Sequence, residues 1–286
     1  MRIGIIVNPK RPLNKSVLSE LIRWLIEHKQ KVWIAEENKV PEEILYRIKK
    51  LNYCKEFKGF VESSDVILAV GGDGTLLKAS RIVGGAGIPI LGINLGKLGF
   101  LTDVAIDNLY PALDKLLSCE YNVESRMVLE AKVKNKKLYG LNDIVITGTG
   151  SGRMLQFIVW VDEVYVSSFS ADGIILSTPT GSTAYSLAAL GPILHPSTQA
   201  IVINLICPHT LGARPIVVRA DSLIEVKCGS DDSVLVADGQ EKVILNKNEK
   251  VKIQKADYEV KLIKSGIRDF YEILRTKLKW GGGKER

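Results

Sequence analysis

Five consecutive residues, Gly71-Gly72-Asp73-Gly74-Thr75, follow the apolar run Val66 to Val70 and precede a stretch with helical spacing. A strand that runs through a glycine-rich turn into a helix lets successive backbone N–H groups converge on an anion, and the helix dipole adds to the attraction. Gly71, Gly72, Gly74 and Thr75 therefore form a candidate phosphate loop. The same glycines would also serve a plain strand-to-helix turn. Asp73 separates the two readings. A carboxylate among anion-attracting amides repels a phosphate unless it binds the accompanying metal or accepts a proton from a nucleophile. Two better-known phosphate motifs fail. G-x-G-x-x-G needs glycine at 77, which is Leu77, and a P-loop ending at Gly96-Lys97 needs glycine at 91 and Ser or Thr at 98, which are Leu91 and Leu98.

A second constellation runs from Ser170-Ala171-Asp172-Gly173 to Thr180-Gly181-Ser182-Thr183-Ala184-Tyr185-Ser186. Its short hydroxyls offer donors for ribose and phosphate oxygens, and its one aromatic ring offers a surface for a base. A polar loop followed by a capped helix would have the same composition. Leu141-Asn142-Asp143 opens an apolar strand and taken alone reads as a turn. Other chemistries are absent. No G-x-S-x-G elbow surrounds Ser182, because position 184 is Ala184, and no H-E-x-x-H joins His28, His195 and His209. His195 reads as a structural hydrogen-bonder and His28 as solvated at a helix end. Cys54, Cys119, Cys207 and Cys228 contain no C-x-x-C pair, so no zinc site or redox motif is available. They read as small buried groups in a reducing compartment.

These residues need a scaffold. A chain of 286 residues favours two domains, and 46% apolar with 25% charged residues argues against disorder and against a membrane-spanning chain. The net charge of +7 points weakly to anionic partners. Strands are expected over Ile3 to Val7, Lys31 to Ala35, Asp65 to Val70 and Ile88 to Ile93. Helices are expected around Val17, Leu21, Trp24 and Leu25, over residues 41–50, over Thr75 to Val83, and around Leu109, Ala112, Leu113, Leu116 and Leu117, with Pro111 in the first turn. After Cys119 the period changes to two. Ile224, Val226 and Cys228 alternate with polar residues, as do Val251 and Ile253, and Gln156 to Val161 with Val164 to Ser168 reads as a hairpin, apolar on both faces around Trp160. The expectation is an α/β domain with a parallel, Rossmann-like sheet (1–119), a β-rich domain (120–265), and a C-terminal helix with a frayed tail (266–286) that packs back on the first domain. The apolar run at the N-terminus is too short for a signal peptide, which predicts the cytoplasm.

Together, Gly71 to Thr75, Leu141 to Asp143, Asp172-Gly173, Thr180 to Ser186, Gly191-Pro192-Ile193-Leu194-His195-Pro196 and Asp238-Gly239-Gln240 make the whole chain resemble the NAD kinases. The glycine-rich loop alone is shared with diacylglycerol and sphingosine kinases and, more loosely, phosphofructokinase. The resemblance implies transfer of a phosphoryl group from ATP or polyphosphate to the 2′-hydroxyl of the adenosine ribose of NAD. It implies that Asp73 accepts the hydroxyl proton, with Gly74 beside the nucleotide. Asn142 and Asp143 would hold the adenosine part, Asp143 standing where many relatives have Glu. Arg153, Ser170, Asp172, Thr180, Thr183, Ala184, Tyr185, Ser186, Leu187, Ala188 and Gln240 would complete the pocket. A homodimer or homotetramer is implied, with no nucleic-acid or membrane partner.

Phosphoryl transfer needs positioning and charge stabilisation more than covalent chemistry, so Mg²⁺ or another divalent cation is expected to come with the donor rather than sit in a dedicated protein site. Two alternatives stand beside this reading. A lipid kinase would share the loop but needs an apolar channel, and a non-catalytic NAD-binding module would leave Asp73 without a task.

Overall fold

In the computed structural model the chain is described for residues 1–7, 14–35, 52–54, 56–96, 99–102, 104–150, 154–210, 212–266 and 268–280. The helix expected over 41–50, Arg153 and the tail 281–286 lie outside the described residues. Two units are present, one of Met1–Ser125 with Val260–Arg286, the other of Arg126–Glu259. The sequence places the corresponding divisions at 119 and 265.

The first unit alternates strand and helix: β1 (Arg2–Val7), α1 (Asn14–Glu27), β2 (Lys31–Ala35), β3 (Asn52–Cys54), α2 (Phe57–Glu62), β4 (Val66–Gly71), α3 (Asp73–Val83), β5 (Ile90–Asn94), β6 (Val104–Ala105) and α4 (Leu109–Leu117). The strands order as β3-β2-β1-β4-β5, every pair parallel. Both faces of such a sheet are covered, which is why β1 and β4 read as continuous apolar runs. Leu18, Leu21, Ile22 and Leu25 form the buried stripe of α1 and pack with Ile3, Ile5 and Leu68, while Val17 and Trp24 sit on its rim. His28, at the end of α1, is exposed and stacks on Trp24. Pro111 falls in the first turn of α4, where no backbone donor is needed.

The second unit contains most of β7 (Asn122–Val133), then β8 (Lys136–Gly140), β9 (Asp143–Gly148), β10 (Leu155–Val161), β11 (Val164–Ala171), β12 (Gly173–Ser177), the single-turn α5 (Tyr185–Ala188), β13 (Ala200–Ile206), β14 (Ile216–Arg219), β15 (Ile224–Cys228), β16 (Ser233–Ala237), β17 (Glu241–Leu245) and the start of β18 (Lys250–Lys264). One antiparallel sheet orders as β14-β13-β12-β9-β16-β17, and β11-β10-β15-β18 form a second antiparallel set. Ile144, Ile146, Ile174 and Leu235 from the first set share a core with Phe157, Val159, Val226 and Ile253 from the other. The opposite face of the first sheet carries a smaller cluster of Val145, Ile175 and Val236. The hairpin at Asp162-Glu163 turns through left-handed φ of 49° and 67°, as a two-residue connection requires. Its faces differ from expectation: Phe157 and Val159 are buried, but Val164 and Tyr165 are exposed, so only one face is apolar core.

The last residues of β18 rejoin the first unit, where Leu262 and Ile263 pair in parallel with Ile90 and Leu91 of β5. The closing helix α6 (Phe270–Leu278) is capped by Asp269, whose carboxylate accepts the Glu272 N–H at 2.7 Å. All four cysteines are free, but only Cys228 is buried. Cys54 is half-buried and Cys119 and Cys207 are exposed, which corrects the expectation of four buried thiols. No helix among the described residues is long and apolar enough to cross a membrane.

Candidate functional site

The glycine-rich loop sits at the C-terminal end of β4, and α3 opens at Asp73 with Gly72 as its N-cap. Gly71 is required by the fold, because a Cβ there would collide with Thr75 Oγ1. Gly72 and Gly74 are different. Among the described residues a Cβ on either would meet no atom beyond the neighbouring backbone, and neither has a left-handed φ. Neither packing against the described residues nor a left-handed backbone calls for glycine at these two positions.

Asp73 is held by the segment after β5. Its Oδ2 accepts the Phe100 N–H at 2.9 Å, and its Oδ1 accepts the N–H groups of Leu101 at 3.2 Å and Thr102 at 3.1 Å and the Thr102 hydroxyl at 3.0 Å. Gly99 permits this closure, since a Cβ at 99 would overlap Asp73 Oδ1. Lys277 in the last turn of α6 stands 5.7 Å from the Phe100 ring centroid. Among the described residues no three His, Cys, Asp or Glu side chains are grouped to hold a metal ion.

The second unit contains a cavity of about 300 Å³. Period two along β9 puts Asp143, Val145 and Thr147 on one face, opposite the core residues Ile144 and Ile146. Val236, paired with Val145, completes an apolar floor. Asn142 and Asp143 stand at one end, Asp238 and Gly239 at the β16–β17 turn, and Ala184 and Tyr185 at the start of α5. The Tyr185 ring is 46% exposed, open to stacking.

Asp238 fixes this site. Its carboxylate accepts the backbone N–H groups of Leu141 at 2.9 Å, Asn142 at 2.8 Å and Asp143 at 3.1 Å. From the other side Thr178 N–H donates to the Asn142 carbonyl at 2.9 Å, and Gly181 lies so close that a Cβ would strike the Asn142 backbone. The Asn142 side-chain amide bonds to none of the described residues and stands at the cavity. Burial, with the Asp238 charge second, pushes the Asp143 carboxyl up to about 7.

Of the expected site residues, Asn142, Asp143, Ala184 and Tyr185 line the cavity. Asp73 and Gly74 belong to the first unit, and Arg153 lies outside the described residues. The others are elsewhere. Ser170 accepts from Gln156 Nε2 at 2.7 Å, Asp172 is exposed beyond β11, and Gln240 is exposed just past the turn at Gly239. Thr183 donates to the Thr180 carbonyl at 3.3 Å, Leu187 is half-buried and Ala188 exposed on α5.

Several hydroxyls of the hydroxyl-rich stretch are already hydrogen-bonded to backbone carbonyls. Ser177 Oγ donates to the Thr178 carbonyl at 2.9 Å, Thr178 Oγ1 to the Leu141 carbonyl at 2.6 Å, and Ser182 Oγ to the Pro179 carbonyl at 2.6 Å. Thr180 Oγ1 and Ser186 Oγ are buried without a partner among the described residues. His195 Nδ1 accepts from the Ser197 N–H at 3.3 Å and lies 2.7 Å from the Ser197 hydroxyl, a local structural contact. Val145, Thr147 and Val236 line the cavity without being expected site residues, and Asp238 and Gly239, quoted in the sequence only as part of the family motif, line it as well. Alternation from Asp143 would have found the first two, and the Asp-Gly turn signal the last two.

Comparison with known proteins gives one answer. Residues 3–121 match the ATP-NAD kinase N-terminal domain and residues 141–265 the ATP-NAD kinase C-terminal domain. An NAD kinase of Geotalea daltonii is 38% identical over 98% of this chain and 99% of its own, and one of a Geobacter species is 41% identical over the same shares. Among solved structures, the yeast NADH kinase complexed with NADH superposes with a TM-score of 0.89 at 24% identity, covering 100% of this chain and 89% of that one. An NAD kinase from Archaeoglobus fulgidus in complex with ATP gives 0.78 at 25% identity, covering 99% and 100%.

Proposed function

The chain belongs to the ATP-NAD kinase family, a phosphotransferase acting on NAD, and from that premise we propose how its residues divide the reaction. The terminal phosphoryl group of ATP goes to the 2′-hydroxyl of the adenosine ribose of NAD. As the ribose oxygen bonds to the γ-phosphorus, the bond from that phosphorus to the β–γ bridging oxygen breaks, and ADP leaves with the electron pair. The hydroxyl proton passes to the Asp73 carboxylate. Amides of the Gly71 to Gly74 turn and the start of α3 hold the donor phosphates. The Gly71 to Gly74 turn would hold a divalent cation only through the donor phosphates, and such a cation would offset charge on the transferring group. Asn142 and Asp143 orient the adenosine ribose, and Tyr185 stacks on a base. Arg153, Ser170, Asp172, Thr180, Thr183, Ser186, Leu187, Ala188 and Gln240 remain in the proposal as the outer contacts of the dinucleotide. A homodimer or homotetramer is part of it, read by light scattering.

One observation carries this reading: the 300 Å³ cavity combines an apolar floor with an amide, a carboxyl group and an aromatic ring, the chemistry of a nucleoside rather than of an acyl chain. The lipid-kinase alternative is not favoured, since the C-terminal match and the relatives are NAD kinases. Purified protein tested against a matrix of donors (ATP, other nucleoside triphosphates, polyphosphate) and acceptors (NAD, NADH, diacylglycerol, sphingoid base) decides the question. NADP formation from ATP and NAD is expected. Phosphate incorporation into a lipid with none into NAD overturns the proposal.

A further inference from the structure

We infer that Asn94 and Thr102 are positioning residues that commit Oδ1 of Asp73 to the protein and leave Oδ2 as the oxygen that takes the substrate proton. The inference rests on the reading of Asp73 as proton acceptor. Asn94 is 3% exposed and Thr102 fully buried, so their polar atoms answer only to the chain. Asn94 Nδ2 donates to Thr102 Oγ1 at 2.8 Å, and the amide cannot be turned round, because Asn94 Oδ1 accepts the Gly96 N–H at 2.8 Å. A hydroxyl has one proton. Since Thr102 Oγ1 already accepts from Asn94, that proton is directed to Asp73 Oδ1 at 3.0 Å. The rotamer is fixed as well. The space where a Cβ of Gly92 would stand is filled by Leu76 Cδ1 at 2.7 Å and Thr102 Cγ2 at 2.9 Å, which seats the methyl group and leaves the hydroxyl facing the carboxylate.

A carboxylate oxygen has about two lone-pair sites. Oδ1 is crowded by three donors, whereas Oδ2 has Phe100 N–H alone among the described residues and keeps room for a hydroxyl. The relay Asn94 to Thr102 to Asp73 thus makes the two oxygens unequal and holds the carboxylate in one rotation.

Steady-state kinetics of the full chain, with ATP, NAD and Mg²⁺, test this through Thr102→Val, Thr102→Ser, Asn94→Ala and Asp73→Asn, alone and with each of the first three combined with Asp73→Asn. Thr102→Val is expected to lower kcat by roughly 10- to 100-fold with KM for NAD unchanged, since small misplacements of a reacting group cost about that much. Thr102→Ser should recover most of the loss. Asn94→Ala, which keeps the hydroxyl but removes the donor that aims it, should lose less than Thr102→Val. In the Asp73→Asn background none of the three should cost anything further. If Thr102→Val does not fold, Asn94→Ala in both backgrounds gives the same test. Wild-type kcat in Thr102→Val, no rescue by serine, or equal cost in both backgrounds overturns the inference. Wild-type kcat in Asp73→Asn overturns instead the reading of Asp73 on which it rests.

Discussion

Asp143 should make this protein less stable as the pH rises, and Asp143→Asn should remove that loss. The carboxyl group is 5% exposed and sits beside Asp238, whose charge is held in place by three backbone N–H groups. Burial first and Asp238 second raise its pKa from 3.8 to about 7. Because the folded value lies above the unfolded one, the native state holds this proton more tightly. The associated stability is fully present below about pH 4 and is lost as the pH climbs through 7. A tenfold change in proton affinity is worth about 1.36 kcal/mol, so the loss between those limits is about 4 kcal/mol. Asn has the same size and no proton to lose. Urea unfolding of the wild type and Asp143→Asn at pH 5 and pH 8 should show the variant gaining about 2.7 kcal/mol on the wild type as the pH rises, the part of the loss that falls between pH 5 and 7, while its KM for NAD worsens at both. Any effect of the substitution that does not depend on pH cancels in the comparison. A difference between the two proteins that is the same at pH 5 and pH 8 would refute the argument and mean that the carboxyl group is hydrated or partnered in solution.

Tyr185→Ala should raise KM for NAD by roughly 5-fold or more with kcat little changed, on the scale of about 1 to 3 kcal/mol for an aromatic ring stacked on a base; a fall in kcat at constant KM would place the ring in the transition state. Gly181→Ala drives a Cβ into the Asn142 backbone and should cost about 1 to 3 kcal/mol in denaturation together with a higher KM for NAD, whereas Gly59→Ala in α2, where a Cβ meets nothing, should be neutral or stabilising. Exhaustive chelation should abolish turnover, reversibly on adding Mg²⁺, and leave the thermal midpoint unmoved; full activity after chelation, or unfolding caused by it, contradicts a cation that travels with the donor.

The first unit is legible in the sequence because β1, β4 and β5 are buried on both faces and α1 and α4 each have one apolar stripe, so β1, α1, β4 and α4 announce themselves by period alone. Asp73 is legible for a local reason, the break in an apolar strand by glycines. The partners of Asp73 and Asn142 are not. The Thr102 N–H that reaches Asp73 comes from 29 residues further on, and the carboxylate that fixes Leu141 is 97 residues away in the chain, distances over which no local pattern carries information. Composition also misleads in one place. The residues from Ser177 to Ser186 are rich in hydroxyls, but a count of donors does not tell which ones are spent on backbone carbonyls, as Ser177 and Ser182 spend theirs within the loop and Thr178 on Leu141.

The division of the chain, with Arg126–Glu259 lying between the two parts of the other unit, bears on how the protein is made. A ribosome releases the inner unit as one uninterrupted stretch, whereas the outer one waits for its final strand. During that interval Ile90 and Leu91 have one flank of backbone N–H and C=O groups unpaired, because the partners Leu262 and Ile263 have not yet been synthesised. At about 5 to 20 residues per second the delay is on the order of ten to thirty seconds. A chain cut short after Glu259 would keep every residue of the glycine-rich loop and of the inner unit and still expose that flank permanently, so such a C-terminal truncation should send the product into aggregates, and newly made chains should depend on chaperones during that interval.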